Sequence, residues 1–170
     1  TVSRDSSLTV TTTSGGTVPA PLGDFTLVND STNPVTVTGV TAGQTVTVSG
    51  TGTTLVQDPA GNLTVNNNGT GTVTVNGLNT GSKLTVKGSS PTTINNPDGS
   101  LSVDNTGTGL VTVSGDLAGD TLTIDGTGSG PVAINNTGST AVTVASVNDG
   151  QTITASGSGP TTIHNPDGSL

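Results

Sequence analysis

Short triplets of the form apolar-Thr-apolar recur along the whole chain, and they constrain its fold more than any other feature. Their starts are 8 to 11 positions apart, as in LTV at 63, VTV at 73 and LTV at 84. Alternation with β-branched residues is typical of strands, and the Gly, Asn, Asp, Ser and Pro residues between the triplets favour turns. Counting Leu170 as the last, the chain has eighteen candidate strands and no segment with the period of a helix. The sequence therefore predicts an all-β protein.

A longer repeat is superimposed on the triplets. VTVNG at 73 returns as VTVSG at 111, and four candidate strands begin within that interval, so one unit holds four strands. Residues 142–170 match residues 73–101, which is less than two full units earlier, so one late unit has lost a strand. Repetition at a fixed period predicts a solenoid, a propeller or an array. We treat 1–170 as a single repetitive domain whose irregular units are 25–62, 63–100, 101–134 and 135–170.

Composition helps to choose among these architectures. Phe25 is the only aromatic residue, and Val, Ile, Leu and Phe together make up 39 of 170 residues, so the core has to be thin and aliphatic. A β-solenoid suits such a core and tolerates a lost strand, because each strand needs only its neighbours in adjacent coils. The starts of every third strand are separated by steps of 27 to 31, which favours an elongated parallel β-solenoid with about three strands per coil and about six coils. A two-strand β-roll and an antiparallel β array are the alternatives.

The two ends of the chain match each other in sequence. PDGSL at 166–170 repeats PDGSL at 97–101, where the earlier copy continues as SVDN. Placing Thr1, Val2 and Ser3 after Leu170 restores a strand of the same kind. We interpret these four residues as an assembly junction, because an uncapped solenoid presents open strands at both ends. The partners are then copies of the chain, head to tail, in a covalent tandem array or an open filament.

The strings NLTVNNNGTGTVTVNG and GDLAGDTLTIDGTGSGP resemble the strand-repeat passengers of bacterial surface proteins. These are the parallel β-helix adhesins of the filamentous-haemagglutinin and autotransporter kind, and the resemblance is one of repeat style over most of the chain. It implies export, a location outside the cell or at the cell surface, and roles in adhesion, biofilm matrix or surface coating, with surface glycans as further partners. The chain has no initiator Met and no signal peptide, so we expect a processed product or an internal segment.

Charge and composition narrow the classes of function. A formal charge of −8 with three basic residues argues against nucleic-acid binding, and no apolar run approaches the length of a membrane span. The chain has no Cys and no Glu, so it offers no thiolate metal site and few of the residues that acid–base catalysis needs. His164, the only histidine, replaces Asn95 of the earlier copy, which indicates a turn or ladder residue. We therefore expect no enzyme, no catalytic residue and no resident cofactor.

Two sets of residues are candidate binding sites. Asp116, Asp120 and Asp125 supply the oxygen ligands that Ca²⁺ prefers, although Ser82 and Lys87 stand at two of the equivalent places in the earlier unit, which favours solvated turn aspartates. In a three-strand coil one outward column would consist of Thr9, Thr36, Thr64, Thr93, Thr123 and Thr154. Its neighbour, which is mixed and partly charged, would consist of Thr11, Thr38, Asn66, Asn95, Asp125 and Ser156.

The prediction for function follows from the repeat, the ends and the resemblance together. We expect an extracellular structural protein that stacks end to end into a fibre, matrix or surface layer. The alternative is a monomeric adhesin stalk, or an ice- or glycan-binding module that uses the threonine columns.

Overall fold

The computed structural model describes residues 8–117, 119–124, 128–145, 147 and 151–164, and all regular elements in these ranges are strands. In chain order they are β1 (Leu8–Thr12), β2 (Gly16–Pro19), β3 (Phe25–Asn29), β4 (Val35–Thr38), β5 (Thr45–Gly50), β6 (Thr54–Gln57), β7 (Leu63–Asn67), β8 (Val73–Asn76), β9 (Lys83–Gly88), β10 (Thr92–Asn95), β11 (Leu101–Asn105), β12 (Val111–Gly115), β13 (Thr121–Ile124), β14 (Val132–Asn136), β15 (Val142–Ala145), β16 (Ile153–Ser156) and β17 (Thr161–His164).

The strands alternate between two sheets. The odd-numbered strands form a nine-stranded sheet in the order β1 to β17, and the even-numbered strands form an eight-stranded sheet in the order β2 to β16. We call these the odd sheet and the even sheet. Every pair of neighbouring strands is parallel. The chain therefore winds as a parallel β-solenoid that places one strand in each sheet per coil and makes about eight coils.

The all-β class and the parallel β-solenoid are confirmed, and the size of the coil is corrected. A coil has two strands, as in the two-strand roll, rather than three, and there are about eight coils rather than about six. The antiparallel alternative is wrong because all the strand pairs are parallel. The step from one coil to the next is longer from Leu63 to Leu84 than from Thr92 to Val111. Corners of unequal length absorb this difference, so evenly spaced strand starts are not required for registry.

The core is a thin stack of aliphatic side chains between the two sheets. The outer residues of each triplet point inward, as the alternation predicts, and the central Thr points outward, which gives the repeated pattern of buried and half-buried residues in β7 and β8. Val65 and Val73 have no exposed surface, and Phe25, the one aromatic residue, is only 2% exposed. Each fully buried Val or Leu contributes roughly 1.5–3 kcal/mol to stability. Together they replace the aromatic residues of an ordinary core.

The four-strand repeat spans two coils because two kinds of corner alternate. Asn105, at the end of β11, is buried, and its Nδ2 donates to the carbonyl oxygens of Gly109 and Pro131, both at 2.9 Å. Asn67 makes the same pair of bonds two coils earlier. The coil between them has Gly88 at this place, with a φ of 92°, and a Cβ there would collide with the backbone oxygen of Asn67. A corner with a buried Asn, which we call an Asn corner, therefore requires Gly at the same place in the next coil, which we call a Gly corner.

The lost strand moves this alternation from one sheet to the other. Residues 73–101 begin with β8 in the even sheet, whereas the matching residues 142–170 begin with β15 in the odd sheet. Asn136 ends β14 in the even sheet, and its Nδ2 donates to the carbonyl oxygens of Thr140 and Pro160, both at 3.0 Å. This is the bonding pattern of the Asn corners in the odd sheet. The same sequence unit therefore folds on either side of the solenoid.

Candidate assembly interface

The inward side chains of the two end coils are less covered than those of interior coils. Leu27 in β3 has no exposed surface, whereas Leu8 in β1 is 48% exposed. Val10, Ile153 and Ile163 pack against the core but are only partly buried. An inward side chain normally lies between its equivalents in the coils above and below, and in the end coils the described residues cover it on one side only. Each end therefore presents a strip of partly exposed aliphatic surface.

The backbones of the end coils also have an open side. Among the described strands, β1 and β2 have a neighbour on one side only, and so do β16 and β17. Proteins that protect such edges place charged residues or proline there. These four strands contain no Lys, Arg, Asp or Glu, and their one ionisable residue is the exposed His164. Within the described residues, these edges are thus open to pairing with another parallel strand.

Pro19 is the exception at the open edge of β2. The N–H groups of Gly16 and Ala20 donate to the carbonyl oxygens of Pro34 and Thr38 in the next coil, at 3.3 and 2.8 Å. Since successive residues of a strand bond to alternate sides, the position of Pro19 faces the open side, where it has no N–H to donate. A strand added to this edge can therefore form one hydrogen bond fewer than it could at an edge without proline.

The predicted junction residues cannot be placed in this geometry. Thr1, Val2, Ser3 and Leu170 lie outside the described residues. The described strands are divided unequally, nine in the odd sheet and eight in the even sheet. A junction strand that belongs to the even sheet would make the two numbers equal.

The outward surface of the even sheet carries no charged residue in its described strands. We call this surface the even face, and it consists of two columns with one residue of each per coil. The register of the strands gives the first column as Thr17, Thr36, Leu55, Thr74, Thr93, Thr112, Ala133 and Thr154. The second column is Pro19, Thr38, Gln57, Asn76, Asn95, Ser114, Asn135 and Ser156. Hydrogen bonds link successive coils, from Asn76 Nδ2 to Gln57 Oε1 at 3.3 Å and from Asn135 Nδ2 to Ser114 Oγ at 3.1 Å.

The outward surface of the odd sheet, the odd face, is different. Lys83 and Lys87 project from β9, and Asp104 lies on the next odd strand, with 3.7 Å between Lys83 Nζ and Asp104 Oδ2. The register step also changes along this sheet, since it is longer from Phe25 to Val46 than from Val46 to Val65. In the even sheet the step is the same at each coil from β2 to β12. The even face is therefore both the uncharged face and the more regular one.

The threonine column predicted for a three-strand coil is divided between the sheets. Its members alternate, with Thr9, Thr64 and Thr123 on the odd face and Thr36, Thr93 and Thr154 on the even face. They cannot form one surface. The prediction is wrong because it counted every third triplet, whereas a two-strand coil stacks every second one. Six of the eight residues in the first column of the even face are nevertheless threonine.

The predicted calcium ligands lie at the corner before β13, except Asp125, which is outside the described residues. Asp116 is exposed and Asp120 is half-buried. In the described part of the chain no three His, Cys, Asp or Glu side chains come together in a group that could hold a metal ion. Burial and, secondarily, the negative charge of Asp116 raise the pKa of Asp120 above its ordinary value.

Asp120 occupies the place in its turn that Gln44 occupies in an earlier coil. The turn that precedes β13 is closed by a bond from Asp120 N to Leu117 O at 3.1 Å, just as Gln44 N bonds to Thr41 O at 3.3 Å before β5. Gln44 is buried, and its Nε2 donates to the carbonyl oxygen of Pro21 in the preceding coil at 2.7 Å. A carboxylate in the same place has no proton to donate to such a carbonyl.

A shallow groove lies on the odd side of the solenoid. None of the residues that line it is ionisable: Gly81, Ser100, Leu101, Ser102, Thr121 and Thr123. His164 does not line the groove; it lies on β17, two strands beyond β13 in the odd sheet. The groove therefore brings together no set of groups suited to proton transfer.

No helix within the described residues is long and apolar enough to cross a membrane. Comparisons with protein families, with curated proteins and with solved structures find no match to this chain.

Proposed function

We propose that this protein is a structural β-solenoid whose coils continue into those of a second copy, head to tail, and so build a fibre, matrix or surface layer outside the cell. The observation that carries the proposal is the pair of open ends. Both expose aliphatic side chains that interior coils bury, and both present strand edges with no charged residue among the described end strands. The location outside the cell rests on the resemblance to exported strand-repeat proteins.

The two ends complement each other. All strands are parallel, so the open edge of β17 offers a second copy the same kind of ladder that β15 offers to β17. The matching open edge at the other end of the chain belongs to β1. A contact between unlike ends leaves one open end on each partner, so the addition of copies continues without closure. The expected product is an unbranched filament with the solenoid axis along its length.

Strand counting supports the predicted junction. Because the odd sheet begins with β1 and ends with β17, continuous stacking in both sheets needs one more strand in the even sheet. Leu170 followed by Thr1–Ser3 of the next copy is the candidate that the sequence offers. From Thr161 to Leu8 of that copy the chain would then advance by as many positions as it does between the paired residues Leu8 and Phe25.

The test compares variants that carry a new carboxylate on the stacking surface with variants that carry it on an outward position of the same strand. Val10→Asp and Ile163→Asp put a carboxylate on inward positions of the end strands, and their matched controls Thr9→Asp and Thr162→Asp put it on exposed outward positions of the same strands. We expect wild type and controls to form filaments in electron micrographs, and the inward variants to sediment as monomers. Filaments from the inward variants, or a wild type that stays monomeric at all concentrations, would refute end-to-end stacking.

A further inference from the structure

We infer that filaments of this protein associate side by side through the even face, and that the occupant of this face is the even face of a second filament. The inference rests on the end-to-end stacking proposed above and adds to it the surface through which the filaments pair.

Charge disfavours lateral contact through the acidic corners and leaves the even face as a surface without charge. The chain carries a formal charge of −8, so two copies repel each other when their acidic surfaces meet. Apart from Asp104 on the odd face, the described aspartates lie in the corners between strands, namely Asp24, Asp30, Asp58, Asp98, Asp116 and Asp120. The described residues of the two even-face columns include no charge. Contact through the even face therefore buries no ion.

The shape and chemistry of the columns suit a face of the same kind. In a parallel sheet the rungs are about 4.8 Å apart, and outward residues on one strand are about 6.6 Å apart. Sheets that present such in-register ladders of Thr, Ser, Asn and Gln pair face to face by interdigitation, as in steric zippers. In the even sheet the first residues of the strands pair with one another at every coil, from Gly16 in β2 to Ile153 in β16, so the rows of the even face stay aligned along the sheet.

The area of the face explains why pairing should depend on stacking. Eight strands at about 4.8 Å by a width of about 10 Å give a face on the order of 400 Å² per copy. A stable interface buries about 800 Å² on each partner, so a single pair of copies has roughly half of what it needs. Two copies joined end to end double the area without a new type of contact. Monomers should therefore stay apart, and filaments should pair.

The test uses lysine substitutions on the two faces. The even-face variant is Thr74→Lys with Thr93→Lys, and the matched control is Thr26→Lys with Thr47→Lys, which are paired in the same way on the odd face. Both variants lower the net negative charge equally, so a difference between them reports the face. We expect wild type and control to form paired filaments, and the even-face variant to form single filaments with half the mass per length in scanning transmission electron microscopy. Thr112→Lys alone replaces the double variant if circular dichroism shows that the latter is unfolded.

Failure of the inference is distinguishable from failure of the proposed function. Single wild-type filaments would overturn pairing and leave end-to-end stacking intact, whereas a wild type without filaments would overturn both. Paired filaments in the even-face variant would show that another face is used. If wild-type filaments are single and even-face lysines abolish binding to ice crystals or to a neutral polysaccharide, the face serves that ligand, and the inference is wrong.

Discussion

Replacing the buried Asn105 should destabilise the protein far more than replacing an outward asparagine. Asn105 is 1% exposed, and its side chain makes three hydrogen bonds: it donates to the carbonyl oxygens of Gly109 and Pro131 at 2.9 Å, and it accepts from Gly107 N at 3.2 Å. Alanine removes all three. A buried hydrogen bond contributes a net of about 1 kcal/mol, so Asn105→Ala should cost about 3 kcal/mol. In a chain of this length that corresponds to a fall of roughly 6–12 °C in Tm.

The control for this prediction is Asn95→Ala. Asn95 is a half-buried outward residue of β10, in a central coil like Asn105, so its replacement should change stability by about 0.5 kcal/mol or less. Thermal unfolding followed by far-ultraviolet circular dichroism measures both variants, since the chain has no Trp or Tyr for fluorescence. Hydrogen exchange around the affected corner separates local opening from global unfolding, which matters in a repeat protein. Equal Tm values for the two variants would show that the Asn corner does not hold adjacent coils together.

Two further predictions concern single positions in the corners. Asp120→Gln should raise Tm at pH 7, because the raised pKa of Asp120 means that its ionisation destabilises the folded state. The gain in Tm should vanish below the ordinary carboxyl pKa of 3.8, since the side chain of Asp120 is then protonated in both the folded and the unfolded chain. Melts at pH 7 and pH 3 check this, and an equal gain at both would rule out the charge as its cause. Gly88→Ala should lower Tm more than Gly81→Ala does, because both positions have a positive φ but only the Cβ at 88 meets the backbone of Asn67. The same melts compare these two variants, and equal losses would show that the close approach of the coils at Gly88 is unimportant.

The direction in which side chains point could be predicted from the sequence. A strand alternates sides at every residue whatever lies above it, so the inward positions of Leu63, Val65 and Val73 follow from the triplets alone. Each of these residues is at most 2% exposed. The absence of helices from the described residues and the parallel stacking follow from the same pattern together with the repeat.

The number of strands in a coil could not be predicted in the same way. It depends on which strands pair, and strand spacing constrains pairing only if all corners have equal length. Here the corners differ, so the step between paired residues is longer from Leu63 to Leu84 than from Thr92 to Val111. The evenness of every third spacing was therefore no guide to the coil.

The Asn corners were also missed, although a signal for them exists. The sequence comparison grouped Asn66 and Asn95, which prove to be outward residues on different sheets. The buried residue is the next one, Asn67, and Asn29 and Asn105 lie at equal intervals before and after it. That interval equals the four-strand repeat, and it marks two coils. A polar residue that recurs once per repeat on the inward side of the alternation predicts a corner of this kind.

The uniformity of the coils has a consequence for where function can reside. An interior coil has all its ladders paired and its aliphatic side chains covered, so changes such as Leu55 and Ala133 in the threonine column alter a face without altering the stack. The end coils differ from interior coils in that they expose part of their aliphatic side chains. The size of this exposed surface does not depend on how many coils lie between the two ends. Covering Val10, Ile153 and Ile163 completely would contribute on the order of 1 kcal/mol each, in proportion to the area that is still exposed. The strength of end-to-end association should therefore depend on the end coils alone, and lengthening the interior should change the rigidity of the rod and the area of its faces but not the affinity of one copy for the next.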